Sequence, residues 1–97
     1  MAGAHMGKTL RSDAHAYLCE SLKRAREAAG LTQATVAERL GRPQSYVAKT
    51  ESGERRLDVV EFVALAQALE ASAAVIVKEV GRILQGEADA AGQPSRC

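Results

Sequence analysis

The sequence has very few aromatic residues: it contains no tryptophan, one phenylalanine and two tyrosines among 97 residues. A core built mainly from Ala, Val, Leu and Ile suits closely packed short helices better than stacked sheets, in which aromatic side chains are enriched. Only two prolines occur, and no Asn-Gly or Asp-Gly pair separates alternating apolar runs, so β-hairpins have little support. We therefore predict an all-α fold in one domain.

Cysteine and long apolar runs are also scarce. The two cysteines, Cys19 and Cys97, cannot form the dense disulfide framework of a small secreted domain, which favours a reduced, cytoplasmic protein. No apolar run approaches the roughly 20 residues that span a bilayer, so we expect no membrane partner. The segment from Met1 to Met6 lacks the apolar core of a signal peptide and resembles the remnant of an expression tag.

The net charge is only +1, but the charged residues are unevenly distributed. Eight basic residues accompany four acidic ones between Leu22 and Arg56, whereas three basic residues accompany six acidic ones from Leu57 onward. A basic middle and an acidic end are typical of a DNA-facing segment joined to one that faces away. A solvated charged surface would produce the same pattern, so charge alone does not decide the function.

Capping residues divide the chain into five predicted helices. Gly30, Gly41 and Gly53 each follow a helical segment, as left-handed helix termini require. Thr32 and Asp58 can each cap the helix that follows. The predicted helices run from Ser12 or Asp13 to Ala29, over Gln33–Leu40, over Pro43–Ser52, from Asp58 to Leu69, and from about Ser72 to Gln85.

These helices define the predicted domain organisation. Residues 1–11 are small and polar and are predicted to form a disordered tag or N-terminal arm. Residues 12–85 form the folded domain, with a C-terminal dimerisation helix at about 72–85. The Gly/Ala/Pro-rich residues 86–97 are predicted to form a disordered tail.

Helices two and three are short and are joined by the tripeptide Gly41-Arg42-Pro43. This turn is too short for the two helices to lie antiparallel, so they must cross at a steep angle and the third helix must project from the body. That arrangement is a helix-turn-helix, whose second helix fits the major groove of DNA, about 12 Å wide. The sequence thus predicts a module that binds double-stranded DNA.

The stretch Leu22–Leu69, about half of the chain, resembles the Xre/Cro-like helix-turn-helix family, which includes phage repressors, Cro proteins, restriction-modification controller proteins and some antitoxins. The residues that carry the resemblance are Leu22-x3-Arg26-x3-Gly30-Leu31-Thr32-Gln33, Val36-Ala37-x2-Leu40-Gly41, Gln44-Ser45-Tyr46-Val47-x-Lys49-x-Glu51-x-Gly53 and Leu65-Ala66-x-Ala68-Leu69. The resemblance implies a five-helix, lambda-repressor-like domain. The chain departs from the family at Leu57, where the family often has proline, which affects only the conformation of that turn.

The third helix should carry the base-reading residues. Val47 must face the core as an apolar anchor, which places four residues on the outer side: Gln44, Ser45, Ala48 and Lys49. Gln can pair with adenine N6/N7 and Lys with guanine O6/N7, while Ser is adaptable and Ala can meet a thymine methyl group. The resemblance places base contacts at the same positions; the alternative is a solvated polar helix face.

Five residues are predicted to contact DNA phosphates. Gln33 lies in the first turn of helix two, where free backbone N–H groups and the helix dipole attract anions. Arg42, Arg55 and Arg56 lie on the two turns that flank the recognition helix, although such arginines can also serve only solubility. Tyr46 is ambiguous, because its hydroxyl could meet a phosphate, which we favour, or its ring could belong to the core.

Arg26 and Glu51 have a different predicted role. The resemblance implies that they form a partly buried salt bridge between helices one and three. Such a pair would lock the recognition helix against the body without touching bases. We therefore predict a structural role for both residues.

His15 and Cys19 lie four residues apart on one helix and are the only pair that hints at an enzyme. A thiolate–imidazole couple needs an acidic orienting group and a pocket, and the neighbouring sequence supplies neither. We predict that the protein is not an enzyme and that it holds no metal ion or cofactor.

The fifth predicted helix carries apolar residues at intervals of four, three, four and three: Leu69, Ala73, Ile76, Val80 and Ile83. This spacing is typical of a seam between packed helices, and we predict that Ile76, Val80 and Ile83 form a homodimer interface. The alternative is an intramolecular core, because part of this face must pack on helices one and four. A two-fold dimer would place two recognition helices about 34–36 Å apart, one turn of DNA.

Two functions fit these features. The first is a sequence-specific transcriptional regulator, a repressor, which occupies a pseudo-palindromic operator as a homodimer. The second is an interaction protein of the antitoxin type, which neutralises a partner protein through its acidic fifth helix and tail and binds DNA secondarily. The sequence leaves both open.

Overall fold

The computed structural model describes the backbone of residues 2–90 and the side chains of residues 13–88. This part of the chain forms five helices: α1 (Ala2–Ala28), α2 (Gln33–Leu40), α3 (Gln44–Ser52), α4 (Val59–Ala68) and α5 (Ala73–Ala90). Over residues 2–90 no strand is present, which confirms the predicted all-α fold. None of the helices in that range is long and apolar enough to cross a membrane.

The capping residues act where the sequence predicts. The Thr32 side chain accepts the Thr35 backbone N–H at 3.0 Å and so begins α2. Gly41 ends that helix with φ 68°, a left-handed conformation that glycine adopts without steric cost. Asp58 begins α4, accepting the Glu61 N–H at 2.7 Å. These local signals confirm the boundaries of the helix-turn-helix.

Both outer helices are longer than predicted. The first begins at Ala2 rather than at Ser12 or Asp13, and α5 continues past Gln85 to Ala90. Once a helix is nucleated, each added residue gains one backbone hydrogen bond, and neither extension contains a proline. The structure is thus helical at 2–11 and at 86–90, where the sequence predicts disorder, and Met1 and the tail, 91–97, lie outside the described residues.

The core lies where α1, α2, α3, α4 and the start of α5 meet. Its most deeply buried large side chains are Leu22, Leu65, Val36, Val47 and Thr50. Burying a Leu or Val side chain contributes roughly 1.5–3 kcal/mol. The burial of Val47 confirms that this residue anchors the recognition helix, whose opposite side is therefore turned to solvent.

The turn between α4 and α5 contains the one non-glycine residue with positive φ among residues 2–90, Glu70 at 60°. A left-handed conformation costs a non-glycine residue about 1–2 kcal/mol. The Glu70 carboxylate lies 3.8 Å from the Arg39 guanidinium, but both side chains are largely exposed, so that pair contributes little. The backbone strain at Glu70 is thus poorly compensated.

We therefore expect Glu70→Gly to raise the free energy of unfolding by about 0.5–1 kcal/mol, because glycine relieves the strain and its own entropic cost offsets only part of the gain. Thermal and urea unfolding followed by circular dichroism would measure the change. The control is Glu79→Gly inside α5, which should lower stability by about 1 kcal/mol. A loss of stability in Glu70→Gly would contradict the prediction.

Candidate DNA-binding interface

The recognition helix α3 presents one polar side to solvent. Gln44, Ser45 and Lys49 are exposed and Ala48 is half-buried. On the opposite side, Thr50 is buried and its hydroxyl donates a hydrogen bond to the Tyr46 carbonyl at 2.8 Å. The four residues predicted to read bases therefore share the outer side of α3.

A chain of hydrogen bonds runs from α1 to the start of this helix. The Arg26 guanidinium donates two bonds to the Glu51 carboxylate, at 2.6 and 3.1 Å. Glu51 also accepts the Gln33 side-chain N–H at 3.0 Å, and Gln33 in turn accepts the Gln44 side-chain N–H at 3.3 Å. The structure thus brings together a predicted structural pair, a predicted phosphate contact and a predicted base-reading residue.

The Arg26–Glu51 pair at the base of this chain is well enclosed. Its side chains are 12% and 7% exposed, respectively. Arg26 also donates to the Leu31 carbonyl at 2.9 Å, and the hydrogen bond to Glu51 raises the pKa of Arg26. The pair therefore holds α1, α3 and the α1–α2 turn together.

Gln33 fixes how Gln44 presents its amide group. One N–H of Gln44 is used on the Gln33 oxygen, which leaves the second N–H and the side-chain oxygen of Gln44 for DNA. Those two groups match the acceptor N7 and the donor N6 of adenine. The bond between the two glutamines was not predicted, although both stand in the first turns of the two helices that form the motif.

A second group of charged residues lies beside α3, and we call it the arginine–tyrosine cluster: Arg42, Tyr46, Arg55 and Glu61. The two guanidinium carbons lie over the Tyr46 ring, 4.6 Å from its centroid for Arg42 and 4.7 Å for Arg55. Arg55 also donates to the Glu61 carboxylate at 2.9 and 3.2 Å. The cluster holds two of the three arginines predicted to contact phosphates in place beside the recognition helix.

Tyr46 belongs to the core rather than to the surface. It is 8% exposed and packs within the main apolar cluster, which is the alternative that the sequence left open. Burial raises the pKa of its phenol, and the negative charge of Glu61 adds to the increase, so the ring stays neutral. The ring therefore supports the two arginines, and the phosphate contact predicted for the Tyr46 hydroxyl stays a prediction.

Arg55 and Arg56 lie on the turn that follows α3. The Arg55 backbone N–H bonds to the Lys49 carbonyl at 3.1 Å, which ties the turn to the last part of the recognition helix. Arg56 is exposed. The turn thus places Arg55 next to the recognition helix, and the phosphate contacts of Arg55 and Arg56 stay predictions.

The predicted dimer seam does not lie on a free surface. Ile76 is 7% exposed and belongs to the core cluster, and the half-buried Val80 packs against that cluster. Ile83 is half-buried beside α1. The structure thus favours the intramolecular alternative for Ile76, while α1 packs along α5 beside the half-buried Val80 and Ile83, and the homodimer interface predicted for the three residues stays a prediction.

Two of the large apolar residues that α5 exposes, Val77 and Leu84, each follow a residue of the predicted seam by one position. Val77 is 56% exposed and Leu84 48% exposed, with the exposed Gly81 between them. These three residues, which we call the α5 outer stripe, share one side at spacings of four and three. A Cβ atom on Gly81 would meet nothing within 4 Å, so packing inside the monomer gives no reason for glycine, which weakens a helix.

His15 and Cys19 do contact each other, with 3.6 Å between the imidazole Nε2 and the Cys19 sulfur. The sulfur is buried, and burial raises the pKa of its thiol, the opposite of what an activated nucleophile needs. His15 Nε2 also lies 3.4 Å from the Gly53 carbonyl, so the pair packs under the end of α3. Among the described residues, no group of three or more His, Cys, Asp or Glu side chains could hold a metal ion.

Glu61 was missed by the sequence analysis. Its carboxylate accepts the Asp58 backbone N–H at 3.0 Å while Asp58 accepts the Glu61 N–H, a capping box. The Asp-x-x-Glu spacing before an apolar run was visible in the sequence and could have placed Glu61 at the start of α4. Its contacts with the arginines depend on tertiary packing.

Comparisons with known proteins agree with this geometry. A family model described as a helix-turn-helix domain matches residues 18–76, and a comparison with curated proteins found no match. An XRE-family like protein from Pseudomonas syringae pv. tomato str. DC3000 is 40% identical, with a TM-score of 0.74, over 79% of this chain and 94% of that chain.

A more distant likeness concerns the fold alone. The restriction-modification controller protein C.Esp1396I, solved as a tetramer in complex with its natural 35 base-pair operator, is 20% identical, with a TM-score of 0.63, over 73% of this chain and 93% of that chain. The family match and the XRE-family relative extend well beyond the two helices of the motif. The chain therefore belongs to the Xre-like helix-turn-helix family of DNA-binding transcription regulators.

Proposed function

We propose that this protein is a repressor that binds a pseudo-palindromic operator as a homodimer, with α3 in the major groove. The observation that carries the proposal is the bond between Gln33 and Gln44, which fixes an amide at the exposed start of α3. A side chain held in this way loses little conformational freedom when it meets a base. Occupation of the operator would then block transcription.

The outer side of α3 supplies the sequence readout in this proposal. Gln44 reads adenine through its remaining N–H and its oxygen, and Lys49 reads guanine O6/N7 from the other end of the helix. Ser45 and Ala48 lie between them and contact neighbouring base edges. The four side chains together cover only a few base pairs.

The residues around α3 supply the contacts to the DNA backbone. Gln33 stands at the start of α2, where backbone N–H groups and the helix dipole favour a phosphate. Arg42 lies before α3, and Arg55 and Arg56 lie after it; the Arg42 and Arg55 guanidiniums meet over the Tyr46 ring, where both can contact the same stretch of DNA backbone. Such contacts fix the register of the protein on the duplex and carry no sequence information.

A homodimer completes the operator site. One recognition helix contacts too few base pairs to select an operator. Two recognition helices related by a two-fold axis contact the two half-sites of a palindrome, one DNA turn apart. The α5 outer stripe, Val77, Gly81 and Leu84, is the surface that we propose for the contact, because glycine lets two helices approach closely. The tetramer of C.Esp1396I on its operator supports self-association on DNA.

The experiment that tests this function is selection of bound duplexes from a random DNA pool. Recovered sequences should share two inverted half-sites about one turn apart, and Lys49→Ala should relax the preference at one position of each half-site and cost about 1–3 kcal/mol. Arg56→Ala is the matched control, since loss of a phosphate contact weakens all sequences alike. If no sequence is enriched, the proposed function fails.

The antitoxin alternative receives less support. It was based on the acidic charge of the fifth helix, but the Glu79 carboxylate accepts a hydrogen bond from Arg82 of the same helix at 2.6 Å. Part of the acidic charge is therefore already compensated within α5. A partner protein that binds α5 would compete with the dimer contact, so the two functions can be separated by co-purification.

A further inference from the structure

Glu61 is an internal anion that engages both arginines of the arginine–tyrosine cluster. Its carboxylate is bonded to Arg55 at 2.9 and 3.2 Å and lies 3.8 Å from the Arg42 guanidinium. The Arg55 hydrogen bond, followed by the bond from the Asp58 backbone N–H, lowers the pKa of Glu61. The carboxylate is therefore ionised under the conditions in which DNA binds.

A DNA phosphate that reaches this cluster must compete with Glu61. The Arg42 and Arg55 side chains are 45% and 35% exposed, whereas the Glu61 side chain is only 19% exposed. Glu61 thus approaches the guanidiniums from the protein side and leaves part of each open to solvent. The carboxylate offsets their charge and, together with the Tyr46 ring, limits the positions that they can adopt.

We infer that Glu61 is a specificity-determining residue, which restrains Arg42 and Arg55 and so limits binding to random DNA. The inference rests on the proposed function in DNA binding. Random duplexes are bound almost entirely through charge, which Glu61 reduces. When the protein binds its operator, the two guanidiniums are already in position, so no entropy is lost in ordering them. This gain in binding free energy offsets the positive charge that Glu61 neutralises.

Glu61→Gln removes the charge and keeps the local fold. A glutamine oxygen can still accept the Asp58 N–H, because glutamine serves as well as glutamate in a capping box. The variant should therefore fold, which thermal unfolding would verify before any binding measurement. The matched control is Glu79→Gln, which changes the net charge equally and also frees an arginine, Arg82, but on α5.

The measurement is fluorescence anisotropy of labelled duplexes, with a random sequence and with the operator from the selection, across a series of salt concentrations. Glu61→Gln should bind the random duplex about 3- to 10-fold more tightly, and its slope of log K against log [salt] should steepen by about 0.9 for each phosphate newly contacted. The affinity for the operator should stay constant or fall, so the ratio of operator affinity to random-duplex affinity decreases.

Three results would overturn the inference. The first is an unchanged affinity of Glu61→Gln for both duplexes, and the second is the same change of affinity in Glu79→Gln. The third is an equal loss of affinity for both duplexes with an unchanged slope of log K against log [salt]. The last would make Glu61 a merely structural residue. Because wild-type selection of an operator is measured independently, these results are distinguishable from a failure of the proposed function. The inference is supported if Glu61→Gln binds the random duplex more tightly, with a steeper salt dependence and a smaller ratio of operator affinity to random-duplex affinity.

Discussion

Glu51→Ala should lower the free energy of unfolding by about 3–5 kcal/mol, since it leaves a buried cation without its partner. The Arg26 side chain is 12% exposed and directs two hydrogen bonds to Glu51. For a domain of this size, the loss corresponds to a fall in Tm of about 15 °C or more. Calorimetry or circular dichroism would measure it.

The matched control for this variant is Glu27→Ala, which removes an exposed carboxylate from the residue that follows Arg26 in α1. That change should alter stability by no more than about 0.5 kcal/mol. If Glu51→Ala keeps wild-type stability while DNA binding weakens, Glu51 lies at the DNA surface and its structural role is wrong.

The same variant should also disturb sequence readout. Gln33 would lose the acceptor of its side-chain N–H, so its amide would no longer hold Gln44 in one orientation. At a temperature where the variant is folded, the base preference attributed to Gln44 should therefore weaken more than the preference attributed to Lys49. Selection from a random pool, repeated with the variant, separates the two positions.

Leu84→Asp should convert the protein to a folded monomer and weaken operator binding by about 100-fold or more, because linked half-site contacts supply an avidity of that order. Leu84 is 48% exposed in the monomer, so the substitution removes little from the core. Sedimentation velocity gives the oligomeric state, and anisotropy with the operator duplex gives the affinity.

Val75→Asp provides the control for the α5 outer stripe. Val75 is 65% exposed and stands nine residues before Leu84, which is two and a half helical turns and so the opposite side of α5. This variant should remain a dimer with unchanged operator affinity. A wild-type protein that sediments as a monomer at micromolar concentration and stays monomeric on DNA would falsify the dimer.

Local signals predicted the helices well because they act over a few residues. Thr32, Gly41 and Asp58 each determine a helix end through their own backbone or side chain, and no distant contact is needed. The outer ends of α1 and α5 carry no such strong signal. The composition of small residues near both ends predicts disorder, whereas the structure is helical at 2–11 and 86–90.

The orientation of a helix depends on its neighbours and was harder to predict. On α5, two adjacent apolar stripes are present, and the position of α1 decides that Ile76 faces inward and Leu84 outward. On α4, Val59 stands three and four residues before Phe62 and Val63, the spacing of one helix side, yet it is 76% exposed whereas Phe62 is buried. Periodicity predicts a helix but not its rotation.

The candidate site was predicted residue by residue, and the connections between residues were not. Gln33, Gln44 and Glu51 were each assigned a separate role, yet they form one hydrogen-bonded chain. For Tyr46 the sequence leaves both a phosphate contact and a place in the core open, and only tertiary packing puts its ring in the core beside the Arg42 and Arg55 guanidiniums. Contacts between distant segments require the tertiary fold.

The position of Tyr46 has a practical consequence for following the protein in solution. The chain has two tyrosines and no tryptophan, so a Tyr17→Phe variant would carry a single fluorophore. The centroid of its ring lies 4.6 Å from the Arg42 guanidinium carbon and 4.7 Å from that of Arg55, so any movement of either charge alters the electric field across the ring. Its ultraviolet emission therefore serves as an intrinsic optical reporter, and stopped-flow mixing with DNA can time the association without a dye.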